Sequence, residues 1–289
     1  MSNNEHSCIV GLCVKNNAKG LPKVFENMSN MRPLFDKFLI VAYYDKSKDN
    51  SLELLTELSE KYNLECVIIN EECEIPIYNS RIANISKARN YLIGYIYNFT
   101  KDYDIFVMMD SNDYSCQGDI KINVINKYLN EPEYDKWDMV SFARNPYYDV
   151  NAYSDDIFQI SCMFYPKETS KQFTTALEYR KAINERIRNT LFSPSNRGKL
   201  IPVDSAFCGF ALYKKEAFKG CRYDGMFSFK FMNKELLQKN METYKIDKSR
   251  GFINKEDNEH RQFHLMAKHK NGAKIMIACE QAFTYFKKQ

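Results

Sequence analysis

No apolar run in this chain approaches the roughly eighteen residues that a membrane-spanning helix needs. The opening residues, Met1 to His6, are polar and lack the apolar core of a signal peptide. Together these absences lead to the expectation of a soluble, cytoplasmic protein with no transmembrane segment. CxxC pairs are missing too. The nine cysteines are scattered and odd in number, which fits reduced, partly buried thiols rather than a secreted disulfide framework. A large charge of one sign is also absent. The net charge is +4, and Lys and Arg are dispersed, whereas a nucleic-acid-binding domain concentrates them on one face. Nucleic acid is therefore not expected as a partner, while a local basic site for an anionic substrate is compatible. Tryptophan occurs once, against twenty Tyr and twenty Phe. Most of these aromatics fall in apolar segments, where core is the default reading. Internal repeats, low-complexity tracts and Pro/Gly/Ser-rich linkers do not occur.

What remains is ordinary globular composition, 44% hydrophobic and 27% charged over 289 residues, enough for one to two domains with a real core. The first part alternates strand and helix patterns. Strands are expected at residues 8–14, 38–44, 66–70 and 105–109. Helices are expected at 22–35, with a proline in the first turn, at 52–62, with Leu52, Leu55 and Leu58 on one stripe, and at 85–99. Such alternation argues for βαβ units and a mostly parallel sheet. Beyond Asp113 the order loosens. Helices are expected at 121–129, 171–191, 214–218 and 259–270, and strands at 138–143 and 274–278. Residues 205–213 are small and apolar, and 227–253 are polar without clear period. The whole reads as one compact α/β unit with a more irregular second half.

The most informative stretch is Ile105-Phe106-Val107-Met108-Met109-Asp110-Ser111-Asn112-Asp113. Five apolar residues suit a strand buried on both faces. Carboxylates cannot stay buried and unpaired, so they must lie just past the strand end. In open α/β sheets that carboxyl edge is where ligands bind. Oxygen donors clustered there suit Mg²⁺ or Mn²⁺ with a phosphate ligand. The same residues also suit a plain Asx turn. At the end of the second strand, Asp45 is placed to accept a hydrogen bond from a nucleotide base or ribose, while Asp49 or Ser51 can cap the following helix. Ser86-Lys87-Ala88-Arg89-Asn90 lies near the expected start of a helix. An Arg there opposes the helix dipole unless an anion is near, and Arg can grip phosphate with two parallel bonds. A solvated helix face would account for it equally well.

Three carboxylates and two of the four histidines fall between Glu256 and His264. His260 and His264 are one helical turn apart. No HExxH is present, so a zinc-protease site is not indicated. The grouping suits a general base beside an imidazole that could complete a metal shell. An acidic helix start with solvated histidines behind it is the alternative.

In order along the chain, these segments resemble the GT-A glycosyltransferases, enzymes with a Rossmann-like core that use nucleotide sugars. Val10 to Asn17 is similar to their first strand and loop, which touch the nucleotide base, so Val14 and Asn16 are implied there. Residues 45–51 are similar to the Asp-rich turn after the second strand, Ser86 to Asn90 to the S-x-A-R-N element of inverting members, and Asp110-Ser111-Asn112-Asp113 to the DxD motif. Residues 203–213 are similar to the small-residue acceptor segment, implying Asp204, Ser205, Cys208 and Gly209 as substrate contacts. Glu259-His260 resembles the catalytic-base element. Residues 137–149, with Asp149 as a further substrate contact, and 218–223 resemble eukaryotic and large-DNA-virus enzymes related to capsule mannosyltransferases.

The resemblance implies a single GT-A domain. Residues 1–115 would hold the nucleotide sugar and 116–289 the acceptor and catalytic groups. It implies metal-dependent, inverting transfer from a UDP- or GDP-sugar to a hydroxyl on a glycan or protein-linked glycan. Asp110 and Asp113 would hold Mn²⁺ or Mg²⁺, with Asn112, His260 or His264 as further ligands. Asp110, Ser111 and Arg89 would meet the donor, and Glu259 or Asp257 would be the base. The sequence departs from the pattern at Asn112, where the second Asp of DxD stands in the family, and at His260, where an Asp often stands. Residues 245–255 are basic with one glycine and read as a lid over the diphosphate or as a surface loop.

Three rivals remain. A sugar-1-phosphate nucleotidyltransferase would want a Gly-rich loop after the first strand, where only Gly20 occurs. A GT-A-fold module that binds glycan or nucleotide without turnover finds support in Asn112. Nucleic-acid binding through aromatics on a basic face is the third.

Overall fold

The computed structural model describes residues 6–70, 80–161, 176–243 and 256–284. The chain is α/β. Its centre is one eight-stranded sheet: β1 (Cys8–Val14), β2 (Phe38–Tyr44), β3 (Cys66–Asn70), β4 (Ile105–Asp110), β5 (Met139–Phe142), β6 (Leu200–Pro202), β7 (Phe210–Lys214) and β8 (Ile275–Ala278). Their spatial order is β3-β2-β1-β4-β7-β5-β8-β6. Strands β3, β2, β1 and β4 are mutually parallel. β7 runs antiparallel between β4 and β5, β5 and β8 are parallel, and β6 closes the far edge antiparallel to β8. The helices are α1 (Leu21–Met31), α2 (Ser51–Tyr62), α3 (Arg81–Phe99), α4 (Ile122–Tyr128), α5 (Ala176–Leu191), α6 (Lys234–Thr243) and α7 (Glu259–Asn271).

The central strands are apolar without a break because both faces are covered. On β1, Ile9 joins one core with Leu92 and Ile96 of α3 and Phe263 of α7. Its neighbour Val10 points the other way, into a second core with Phe25 and Met28 of α1, Leu55 of α2 and Trp137. That is the two-residue alternation of a strand between two helical layers.

This wiring makes a switch point. The chain leaves β1 through α1 toward β2 on one face, then returns from β3 through α3, on the opposite face, to lay β4 on the other side of β1. The carboxyl ends of β1 and β4 therefore flank a crevice, where this fold class binds ligands.

Most expected elements are present, with shifts at their ends. The first helix stops at Met31, and Arg32–Leu34 continues as a 3-10 turn. Helix α3 begins at Arg81, a turn earlier than the apolar period indicates, because Ser80 caps it by accepting the Ala83 N–H at 3.0 Å. Residues 214–218 hold a 3-10 turn at Glu216–Phe218, and α6 occupies part of the stretch that shows no period in the sequence. The expected lid at 245–255 lies outside the described residues. No helix among the described residues is long and apolar enough to cross a membrane.

Candidate functional site

A cavity of about 860 Å³ opens at this crevice. The ends of β1 and β2 bring Cys13, Val14, Lys15, Tyr43 and Asp45 to it. The end of β4 brings Asp110, Ser111 and Asn112, and the first half of α3 brings Arg81, Ile85 and Arg89. Tyr148, Asp149, Arg180, Phe207, Asn258 and Glu259 close it from the second half of the chain. The volume suits a ligand of cofactor size.

Two stitched loops form the floor. Asn16 adopts the left-handed conformation (φ 53°). Its N–H donates to Ser47 Oγ at 2.9 Å, and its Oδ1 accepts from the Lys48 N–H at 2.6 Å. Asn16 thus ties the β1 loop to the β2 loop and does not itself line the cavity. Asp45 does line it, paired with Lys15 Nζ at 2.6 Å. Asp49 accepts from Ser51 Oγ at 2.5 Å and from the Ala18 N–H at 3.0 Å, so it ties the loops together; the N-cap of α2 is Asn50, not Asp49 or Ser51, and no side chain caps it.

Arg89 sits at the centre, 4% exposed. Sequence reasoning puts it near a helix start, facing an anion. It lies instead about two turns inside α3, too deep for the dipole argument to apply. Its Nη2 is 3.3 Å from Asp110 Oδ1, and its Nε is 3.2 Å from Glu259 Oε1. The Nε contact is an ion pair rather than a directed hydrogen bond, since this N–H has no aligned acceptor. The guanidinium also lies 5.1 Å from the Phe207 ring centre and 5.6 Å from that of Tyr223. Burial pushes the Asp110 carboxyl above its usual range, Arg89 opposes this, and Glu259 adds to it. Asp149 is half-buried and accepts from Asn258 Nδ2 at 2.9 Å. Burial first, then the charges of Glu259 and Asp110, raise its pKa to about 7.

Helix α7 is polar in sequence yet buried from Glu259 through Ala267. Arg261 and His264 are held there by polar partners, and His260 by ring stacking. Arg261, fully buried, meets Asp257 Oδ2 at 3.2 Å and donates to the carbonyls of Tyr153 and Gln159. Asp257 is thereby committed to Arg261 and does not line the cavity, whereas Glu259 does. His264 is also kept from the cavity, with Nδ1 3.0 Å from Ser205 Oγ and Nε2 3.1 Å from Tyr213 OH. Burial and then the charge of Arg89 lower its pKa to about 3. His260 stacks on Phe207 at 3.7 Å, and neither ring nitrogen makes a hydrogen bond among the described residues. Burial and the nearby Arg89 hold it neutral, well below the usual imidazole range. The solvated-histidine alternative is therefore corrected, because both rings are in the core.

The acceptor segment also differs from expectation. Asp204 pairs with Lys268 and accepts from Gln159, Ser205 bridges to Ser154, and Cys208 Sγ accepts from the Tyr148 N–H at 3.3 Å. Gly209 (φ 86°) passes 2.8 Å from Ser115 Cβ at the point where a side chain would begin, and its carbonyl accepts the Asp110 N–H at 2.8 Å. None of the four lines the cavity; Phe207 between them does. Sequence reasoning missed Phe207, Tyr148, Arg180 and Arg81. Only Arg81 had a local signal, the capping serine just before it.

The donor set does not fit a resident divalent ion. Asn112 Oδ1, the atom that would ligate it, already accepts from the Tyr114 N–H (3.1 Å), the Ser115 N–H (2.8 Å) and Ser115 Oγ (2.8 Å). This is the Asx turn of the plainer reading. A carbonyl oxygen with two lone pairs has nothing left for a metal. Ser111 Oγ donates to the Cys13 carbonyl at 2.7 Å, and Asp113 does not line the cavity. Among the described residues no three His, Cys, Asp or Glu side chains are grouped to hold a metal.

No protein-family model matches the sequence, and no curated protein sequence does. Solved structures with a similar chain trace include residues 1–349 of S. aureus TarS in complex with UDP-GlcNAc, at 15% identity and TM-score 0.46, covering 98% of this chain and 59% of that one. Another is the mannosyltransferase PcManGT from Pyrobaculum calidifontis with GDP-Man and Mn²⁺, at 13% and 0.42, covering 76% and 49%. A third is glucosyl-3-phosphoglycerate synthase from Mycobacterium tuberculosis with UDP, at 12% and 0.38, covering 74% and 58%. The chain thus spans between 49% and 59% of these three.

Proposed function

We propose that this protein is a glycosyltransferase of GT-A type, moving a sugar from a UDP- or GDP-sugar to a hydroxyl of a glycan or protein-linked glycan. One observation carries the reading. A nucleotide-sized cavity at the β1/β4 switch point holds, side by side, a carboxylate on a helix start (Glu259) and a buried guanidinium (Arg89) that orients it. On this reading residues 1–115 bind the nucleotide sugar and 116–289 supply acceptor and catalytic groups within one domain.

Glu259 takes the proton from the acceptor hydroxyl as that oxygen attacks the anomeric carbon. The bond from that carbon to the phosphate oxygen breaks, and the nucleoside diphosphate leaves with the electron pair. A single base suffices for this displacement, which inverts the anomeric centre. Arg89 holds Glu259 and Asp110 in place by pairing with both. Asp149, which also lines the cavity and whose pKa is raised to about 7, is suited to proton transfer near neutral pH. Relationship to capsule-type mannosyltransferases belongs to this proposal.

The test is release of nucleoside diphosphate from UDP- and GDP-hexoses, with and without glycan acceptors. Slow donor hydrolysis that is abolished in Glu259→Gln supports the reading. Nucleotide binding with no turnover would favour the non-catalytic binding module instead. Absence of both binding and turnover in folded protein would remove the proposal.

A further inference from the structure

The cavity lining carries four cations and four carboxylates, and most of them are already matched. Lys15 pairs with Asp45, and Arg89 lies between Asp110 and Glu259. The guanidinium of Arg89 thus occupies the place between two carboxylates that a divalent cation would otherwise take, and it would repel an ion brought beside it. Arg81 and Arg180 differ. Both line the cavity with exposed side chains, and neither has a carboxylate within ion-pair distance among the described residues. Arg81 is the first residue of α3, so it crowds positive charge onto the positive end of a long helix. An anion at that point resolves the conflict. Arg81, not Arg89, is therefore the arginine whose charge opposes the dipole at the start of α3. Arg180 reaches the same cavity from α5, and a guanidinium offers planar paired donors that match phosphate oxygens.

We propose that the cavity neutralises the diphosphate of its donor directly, on Arg81 and Arg180, with no divalent cation in the site. This rests on the nucleotide-sugar reading and specifies how that site handles its leaving group. The two exposed arginines supply the charge that a metal supplies elsewhere. Both are exposed to the cavity, whereas Arg89 is buried between Asp110 and Glu259.

The experiment is calorimetric titration of the full chain with UDP and with GDP, in EDTA and in Mn²⁺ or Mg²⁺, for wild type, Arg81→Ala and Arg180→Ala. Both positions are exposed, and circular dichroism confirms that the variants fold. The expected result is equal affinity in EDTA and in metal, with each substitution weakening binding roughly ten- to a hundred-fold, the size of a charged hydrogen bond. Binding that needs Mn²⁺ or Mg²⁺ would overturn this inference and leave the glycosyltransferase reading standing. Metal-independent binding unaffected by both substitutions would also overturn it. If neither nucleotide binds under any condition, the glycosyltransferase reading itself fails, and this inference with it.

Discussion

Arg89 and Glu259 meet across the molecule, one from the middle of α3 and the other from the first turn of α7, with Nε 3.2 Å from Oε1. Both are at most 5% exposed, and Asp110 completes the group on the far side of the guanidinium. The contact fixes a carboxylate in the cavity wall and joins the two halves of the chain at the site.

Removing Arg89 leaves two carboxylates buried without a counter-charge. Arg89→Met should therefore cost about 3–5 kcal/mol of unfolding free energy. Arg89→Lys should recover only part of it, since an ammonium cannot span both carboxylates. Urea midpoints at pH 7 measure this. A loss below about 1 kcal/mol in Arg89→Met would show that the pair is not a folding element.

Glu259→Gln keeps the shape and removes the base. It should reduce transfer by at least 10²-fold while nucleotide affinity stays within a few-fold of wild type. Asp257→Asn should behave differently, unfolding the protein more readily because Arg261 loses its buried partner. Comparing the kinetics and thermal midpoints of the two variants distinguishes base from scaffold. Equal kinetic loss in both, at unchanged stability, contradicts the assignment.

Asp149 and His264 give stability opposite dependences on pH. The folded pKa of Asp149 is raised from 3.8 to about 7, so its contribution is fully present below the unfolded value and is lost as pH rises through 7. His264 is lowered from 6.5 to about 3, so its contribution is present above 6.5 and is lost as pH falls toward 3. Asp149→Asn should therefore stabilise the protein at pH 8 relative to pH 5. His264→Gln should remove part of the acid sensitivity between pH 6.5 and 3. Denaturation curves across pH 4–8 for each variant measure the slopes; a slope unchanged in both removes the assignment.

Gly20 packs beneath the loop after β4. A Cβ there would fall 2.2 Å from the Ser111 carbonyl oxygen and 2.6 Å from the Asn112 backbone. Both are main-chain atoms, so the loop must shift. Gly20→Ala should cost about 1–3 kcal/mol and weaken nucleotide binding through displacement of Asp110 and Ser111. An unchanged thermal midpoint would show that the loop yields freely.

Strands β1, β2 and β3 coincide with the apolar runs of the sequence to the residue. β1 and β2 are covered on both faces and have no polar position to blur their ends, whereas β3 is a part-exposed edge strand that stops at the polar Asn70. Two features of the second half had no such mark. β6, three residues long, is too short to show a period. The insertion of antiparallel β7 between β4 and β5 depends on pairing between segments far apart in the chain. In α7 the alternative of solvated histidines failed, because Arg261 and His264 are taken up by Tyr153, Gln159, Ser205 and Tyr213, and nothing near them in the chain shows those partners.

The sequence by itself determined the βαβ alternation, the burial of β4 and the position of Asp110 at its end. These follow from side-chain periodicity and from the cost of burying an unpaired carboxylate, both local quantities. Only the tertiary structure decided which charged groups face the cavity and which are spent on one another. It turned Arg89 onto Glu259 and Asp110, committed Asp257 to Arg261, closed Asn112 into its own turn and left Arg81 and Arg180 lining the cavity. The reason is physical. A charge's role is set by its nearest opposite charge, and here that partner is often brought up by a distant part of the chain.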